Sequence, residues 1–249
     1  MLSNKSIAFK LTLVITLCST CIFASLLGYN YYRSRLVLRK ELVRDARNLT
    51  TASVNRIETV LTAVTKVAEG VARSLENTRP TSEELSSLLR STLAENPEIY
   101  GCGAAFEPHA TGTDSHPYIT YFHRDHGWIV YAPGDTLNYL QQDWYQISRE
   151  TGKKEWTEPY YEGNVLMATC SVPFYETTDG ARHLKGVAFS DVSLDWLTEL
   201  VASIKVLKNG YAFLISRYGT IVTHPDRAMI MNVTIFGFAE AAKDPTLRE

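Results

Sequence analysis

The chain has no excess of either charge sign: 25 Lys and Arg stand against 27 Asp and Glu, a formal net charge of -2. With no basic surface to neutralise phosphates, nucleic acid is excluded as a partner class. Catalytic signatures are missing as well. No G-x-S-x-G, H-E-x-x-H or phosphate-loop pattern occurs, and the carboxylates of the aromatic-rich middle have no nucleophile or base beside them, which argues against an enzyme. Cysteine is scarce, at four residues. Cys18 and Cys21 fall inside an apolar run, where their spacing reflects packing rather than redox chemistry. Cys102 and Cys170 lie on separate predicted strands and are read as free thiols. His109, His116, His123 and His126 match no compact ligand spacing, so neither a metal nor a cofactor is expected. Proline is absent from Arg33 to Thr78, leaving nothing there to break a helix.

What is present is an ordinary globular composition, 45% hydrophobic, with one exception. From Leu11 to Tyr32 no charge occurs, and Leu, Ile, Val and Phe dominate. A helix over that stretch is long enough to cross hydrocarbon. Lys5 and Lys10 ahead of it would also suit a signal peptide, but no A-x-A-like site follows, so an uncleaved anchor is preferred. Residues 1–10 are then a cytoplasmic tail and 11–32 the membrane partner. Arg33, Arg35, Arg39 and Lys40 follow the span, which by the positive-inside rule alone would place the bulk of the chain in the cytoplasm. Over residues 33–78 the apolar positions Ile57, Leu61, Val64, Ala68, Val71 and Leu75 recur at steps of four and three, with Val60 and Val67 widening the stripe. This predicts a long stalk helix. Its stripe suits either a homodimer seam or packing on its own domain.

Arg79-Pro80 ends that helix, and Thr81 with Glu84 opens the next as a capping box, carrying Leu85, Leu88, Leu89 and Leu93 up to Asn96-Pro97. The period then changes. Ile99–Phe106, Tyr118–His123 and Trp128–Tyr131 read as strands. In the middle of the chain, Asp143 is the expected N-cap of a short helix, Gln146 its capping-box partner and Gly152 its end, which places Trp144 and Tyr145 on the first turn. Beyond it come Trp156, the pair Tyr160 and Tyr161, and the alternations Met167, Thr169, Ser171 and Val187, Phe189, Asp191, separated by Gly163-Asn164 and Asp179-Gly180 turns. Aromatic walls with a few carboxylates suggest a pocket for a small molecule. Leu194–Lys205 reads as a helix. After Asn209-Gly210, the alternation Tyr211, Phe213, Ile215, a Tyr218-Gly219 turn and Thr220–Thr223 predict a hairpin that begins another module. Too few residues follow to complete it, so the chain is expected to be part of a longer protein. The fold class is α+β: an N-terminal span and stalk, then an antiparallel sheet module.

DWYQISRETGKKEWTEPYYE, LMATCSVPFYE, GVAFSDVSLDWL and NGYAFLISRYGTIVTHP together resemble the double Cache family of extracytoplasmic sensor domains of bacterial signal transducers, over roughly Arg33 to Glu249. The resemblance implies a PAS-like, ligand-binding distal module over 79–205 and the start of a membrane-proximal one over 206–249. It also places the sensor outside the cytoplasmic membrane, periplasmic or extracellular, against the local charge bias. A cytoplasmic output domain, such as a serine phosphatase or histidine kinase, would lie elsewhere in the intact protein. The amino-acid-binding subset of the family carries an Arg two positions before its Trp-Tyr pair; here that position is Gln142. A bidentate cation has become a neutral amide, which weakens the case for a carboxylate ligand. Trp144, Tyr145, Tyr160 and Asp191 match the subset's aromatic and amine-holding positions, and Glu162 stands where it has an Asp.

The expected ligand-binding set is therefore Tyr139, Gln142, Asp143, Trp144, Tyr145, Tyr160, Glu162 and Asp191. Asp143 is as readily a helix cap, and Trp144 a core residue. Tyr160 and Tyr161 point to opposite faces, so at most one faces a pocket. Asp191 is the hardest to explain as structure, since an inward carboxylate needs a partner. The function these features imply is sensing of a small amine-type or polar molecule, with the signal passed along the stalk. The alternatives are a ligand-free structural anchor and, behind it, a periplasmic enzyme.

Overall fold

The computed structural model describes residues 7–108, 118–132, 138–178, 180–206 and 210–242. The chain divides into two compact units, Met1–Thr51 and Ala52–Glu249. Among its described residues, 7–51, the first contains only helix. Helix α1 (Ile7–Asn77) holds the single described stretch long and apolar enough to cross a membrane.

The second unit is built on an antiparallel seven-stranded sheet. Its strands are β1 (Gly101–Phe106), β2 (Tyr118–Asp125), β3 (Trp128–Ala132), β4 (Glu155–Trp156), β5 (Tyr160–Glu162), β6 (Val165–Thr178) and β7 (Ala181–Ser193). Their order is β3-β2-β1-β7-β6-β4, with β5 also on β6. Side chains alternate across the sheet, so its two faces carry different chemistry. One face bears Cys102, Ala104, Phe106, Phe122, Phe174, Ala188 and Val192. It is covered by Val64, Ala68, Val71 and Leu75 of α1 and by Leu85, Leu89 and Leu93 of α2 (Ser82–Glu95). The stalk stripe from Val64 to Leu75 thus packs on the chain's own sheet, with Ile57, Val60 and Leu61 partly buried beside it. The opposite face bears the candidate site.

Helix α2 begins as expected. The Glu84 N–H donates to Thr81 Oγ1 and the Thr81 N–H donates to the Glu84 carboxylate, which holds that carboxyl below its usual range. Its other end is closed by a residue far away in sequence, Arg124, which donates to the carbonyls of Leu93, Asn96 and Ile99. Helix α1 ends in a similar way. Lys185, 4% exposed, donates to Leu75 O at 2.8 Å and Thr78 O at 2.9 Å, and burial lowers its pKa. Lys185→Met removes a charge-assisted cap and leaves two carbonyls short of a donor. The expected loss is about 1–3 kcal/mol, read as a lower denaturant midpoint; an unchanged midpoint would refute the capping role.

Four local expectations are corrected. Helix α3 (Asp143–Thr151) is capped by Gln142, not Asp143, because the Gln142 carbonyl already accepts from Tyr145 N and Gln146 N, both at 3.0 Å. The Gln146 amide donates to Leu140 O instead of closing a capping box, and Asp143 sits in the first turn, where its charge suits the helix dipole. Helix α4 (Asp195–Ala202) stops before Lys205, which joins β8 (Lys205–Val206). The single strand expected from Tyr211 to Ile215 is two: β9 (Gly210–Tyr211) pairs with β8, and β10 (Leu214–Ile215) pairs with β11 (Ile221–Thr223). Leu214 and Val222 pack on the main core while Tyr211, Phe213 and Ile215 are exposed. A last helix, α5 (Ile235–Ala242), follows.

Gly152 ends α3 at φ 64°, and Gly163 and Gly180 turn at φ 58° and 80°. Asp179, Asn209, His109 and His116 lie outside the described residues. His126 occupies the β2–β3 turn at φ 46°, and His123 lies on β2. Cys102 and Cys170 are buried free thiols. Both pair with Ser190 of the strand between them, and two strand spacings, roughly 9–10 Å, exceed the reach of a disulfide.

Candidate functional site

The site face starts from what β1 leaves out. Gly101, Gly103 and Ala105 occupy that face, so the strand is almost bare there and neighbouring rings lie across it. A Cβ on Gly101 would stand 2.5 Å from the Tyr121 hydroxyl, and one on Gly103 would stand 2.5 Å from the Phe189 ring and 2.7 Å from Thr120 O. Phe189 packs on Trp144 at 4.3 Å between centroids and on Tyr121 at 5.5 Å, and Tyr121 stacks on His123 at 5.5 Å. The result is a continuous aromatic row from α3 to β2.

Beneath it, strand register places Thr169 of β6 opposite Asp191 of β7. Thr169 Oγ1 donates to Asp191 Oδ1 at 2.7 Å, and the Tyr160 hydroxyl lies 2.7 Å from the same Thr169 oxygen. A hydroxyl has one proton to give. Since that of Thr169 goes to Asp191, Tyr160 must donate to Thr169, which leaves Tyr160 with only acceptor capacity for anything else. Asp191 is 3% exposed, and burial pushes its carboxyl up to about 6 despite the hydrogen bonds from Thr169 and Tyr121. Burial, reinforced by the Asp191 charge, also raises the Tyr160 and Tyr121 phenols.

A cavity of about 510 Å³ opens beside this face. Four of the residues expected from sequence line it: Gln142, Asp143, Trp144 and Tyr160. Asp191 does not, but reaches its wall through Thr169 and Tyr160. Tyr139 and Tyr145 are core residues with occupied hydroxyls. Tyr139 donates to Phe106 O at 2.7 Å and accepts from Tyr118 N at 3.0 Å, and Tyr145 donates to Glu107 at 2.7 Å, where Arg149 also pairs. Glu162 is exposed and outside the lining, as is Tyr161, which is 54% exposed.

Sequence reasoning did not select Glu155, Trp156 or Glu158 from the same central stretch, nor Arg217 and Tyr218 from the β10–β11 turn, all of which line the cavity. Glu158 Oε2 is buried with no hydrogen-bond partner among the described residues. The acid-aromatic run Glu155-Trp156-Thr157-Glu158 was the available signal; for Arg217 there was none, because only tertiary packing brings it here.

An antiparallel sheet with α1 and α2 on one face, and α3 with an aromatic cavity on the other, defines a PAS-like fold. Residues 85–199 match the family described as methyl-accepting chemotaxis protein-like, first PDC sensor domain. The chain is 22% identical over 240 residues to the methyl-accepting chemotaxis protein PscA of Pseudomonas syringae pv. tomato, covering 92% of this chain and 34% of that one. It is 28% identical over 219 residues to McpB of Bacillus subtilis, covering 80% and 28%. It therefore spans about a third of the length of the curated relatives it matches. Among solved structures, the extracellular domain described as that of a histidine kinase, mmHK1S-Z3, superposes with a TM-score of 0.68 at 26% identity over 81% of this chain and 78% of that one. The ligand-binding domain of the Pseudomonas aeruginosa chemoreceptor PctC in complex with GABA does so with 0.58 at 23% over 77% and 76%. These findings support an extracytoplasmic sensor region of the double Cache type, the kind carried by chemoreceptors and histidine kinases.

Proposed function

We propose that this chain is the sensing part of a membrane-anchored signal transducer and that it binds a small cationic amine in the cavity beside α3. The observation that carries this reading is the lining itself. Trp144, Trp156 and Tyr160 offer aromatic faces, and Asp143, Glu155 and Glu158 offer carboxylates, one of them with a buried oxygen in want of a donor. An aromatic face near a cation contributes roughly 0.5–2 kcal/mol, and a charge-assisted hydrogen bond about twice a neutral one. Tyr160, already committed as a donor to Thr169, adds an acceptor. An N–H-rich cation satisfies all of these groups, and the cation of the same lining, Arg217, is exposed.

In this reading residues 1–10 lie in the cytoplasm, 11–32 cross the inner membrane and the module over 79–205 senses outside it, with 206–249 opening a proximal module. The relatives' names supply chemoreceptors and kinases as the kinds of output. The signal travels along α1, which is tied to the site's strand from behind: Ser190, next to Asp191 on β7, donates to Val64 O of α1 at 2.7 Å. The exposed part of the same helix is the proposed homodimer contact.

The test is calorimetric titration of the full chain in detergent with n-pentylamine. Glu158→Gln should weaken binding at least tenfold, because the buried oxygen loses its charge, while Gln142→Ala should change it little. Tight binding of an anionic acid such as acetate, or amine binding indifferent to Glu158→Gln, would overturn the reading.

A further inference from the structure

Strand β7 turns Phe189 and Asp191 to the site face and packs on α1 with its other face. Most of the contact between α1 and the sheet is apolar: Val64, Ala68, Val71 and Ala72 lie over Cys102, Ala104, Ala188 and Val192. Such packing is non-directional, and the stripe on α1 repeats at every turn. Moving the helix one turn along the sheet therefore sets one apolar residue in the place of another. Two buried hydrogen bonds break that equivalence. The Ser190 hydroxyl, fully buried, donates to Val64 O at 2.7 Å. Lys185, equally cut off from solvent, donates to Leu75 O at 2.8 Å and Thr78 O at 2.9 Å. A helix rises about 16 Å from Val64 to Leu75, and a strand covers about the same length from Lys185 to Ser190. Strand β7 thus runs antiparallel along α1 and holds it at two points.

Lys185 reaches α1 only because β7 has a residue too many. Phe174 pairs with Gly186 and Tyr175 with Leu184, which leaves Lys185 without a partner on β6. In an unbroken strand its side chain would share the face of Val187 and Phe189; the bulge turns it to the helix. The two donors differ in what they tolerate. A helix presents a carbonyl on the same side about once per turn, so Ser190 sets the rotation of α1 but would find an acceptor one turn up or down as well. A buried ammonium needs acceptors that the helix has not already used, and only the last four carbonyls lack an N–H. The partners of Lys185 exist at the end of α1 alone. We infer that Lys185 is a positioning residue, a catch that selects one of several one-turn registers of α1 on β7, with Ser190 fixing the rotation. One turn is about 5.4 Å, a step by which packed elements are able to ratchet past each other. With the catch closed, a displacement of the strand that carries the site is passed to α1 as a body instead of being lost as sliding. The catch is independent of what the cavity holds.

Cys170 lies opposite Ser190 on β6, with its thiol 3.7 Å from Thr65 Oγ1, and so reports the register. The full chain with Cys18→Ser and Cys21→Ser, oxidised by copper phenanthroline, should link Thr65→Cys to Cys170 within one chain. A disulfide tolerates a narrow range of Cβ separation, so Leu61→Cys and Glu69→Cys, a turn to either side, should link about tenfold more slowly or less. Adding Lys185→Met should raise the rate at Leu61→Cys or at Glu69→Cys about tenfold and lower it at Thr65→Cys. Lys185→Gln, a milder change, should shift the pattern in the same direction. Ser190→Ala should leave the pattern in place, because the catch still holds. A role confined to stability would lower the melting temperature and keep the link at Thr65→Cys. A pattern unchanged in both Lys185 variants therefore overturns the catch, and so do equal rates at all three positions, which an unfolded variant would give. Neither result touches the cationic reading of the cavity.

Discussion

Asp191→Asn is expected to raise the stability of the protein at pH 7.5 while weakening its hold on an amine. The sign follows from the pKa. The folded carboxyl titrates at about 6, above the ordinary 3.8 of the unfolded chain. Between those values the unfolded state gives up its proton first, so stability falls as pH rises through this window and stays lost above pH 6. A difference of that size corresponds to about 3 kcal/mol, an upper bound at a fully buried position. Asn cannot accept from both Thr169 and Tyr121 as a carboxylate does, which returns part of the gain, so a net increase of about 1–2 kcal/mol is expected. Below pH 4 the variant should have no advantage. Thermal melts between pH 4 and 7.5 check this; a variant less stable than wild type at pH 7.5, or a difference that does not vary with pH, would count against it.

Binding should move the other way. Asp191 orients the relay that makes Tyr160 an acceptor, and its charge polarises that relay. Asn can reverse the direction of the Thr169 proton, so pentylamine affinity should drop about tenfold. Wild-type affinity should fall as pH drops through 6 and Asp191 protonates, and the variant should lose that dependence on Asp191. A carboxylate kept at the expense of stability is what a binding role would explain.

Gly103→Val should be strongly destabilising. The added Cβ meets the Phe189 ring, which has some freedom, and Thr120 O, which as backbone in a paired strand has little. Overpacking of this kind costs about 1–3 kcal/mol, and the clash with backbone places this variant at or above the top of that range. For a chain of this size that is a fall in Tm of about 6–12 °C. Phe189 must also leave its 4.3 Å contact with Trp144, so the cavity wall shifts and amine binding should weaken with stability. Gly103→Val melting within a degree of wild type would show that the bare lane on β1 is not what seats these rings.

The two variants separate what is local from what is not. The capping box at Thr81 and Glu84, the left-handed close of α3 at Gly152 and the apolar stripe from Val64 to Leu75 are short-range patterns. A side chain a few residues away decides each of them, so the sequence alone was enough. The alternation Val187, Phe189, Asp191 likewise put the carboxylate on the correct face. It did not reveal that β6 would place Thr169 opposite, because register depends on the pairing of two strands and on the irregularity between Phe174 and Tyr175.

The remaining features belong to the tertiary structure. Whether Tyr211, Phe213 and Ile215 face inward depended on which side of a small hairpin meets the main core, and Leu214 and Val222 took that side. Tyr139 and Tyr145 matched an aromatic site in sequence but were drawn into the core by acceptors on β1 and at Glu107. The ends of α1 and α2 were closed by Lys185 and Arg124, residues on strands. The cavity took Arg217 from a distant turn and an unpaired oxygen from Glu158. Periodicity reports which way a side chain points from its own strand or helix; which group it finally meets is set by long-range packing, and the charge balance of the site was decided there.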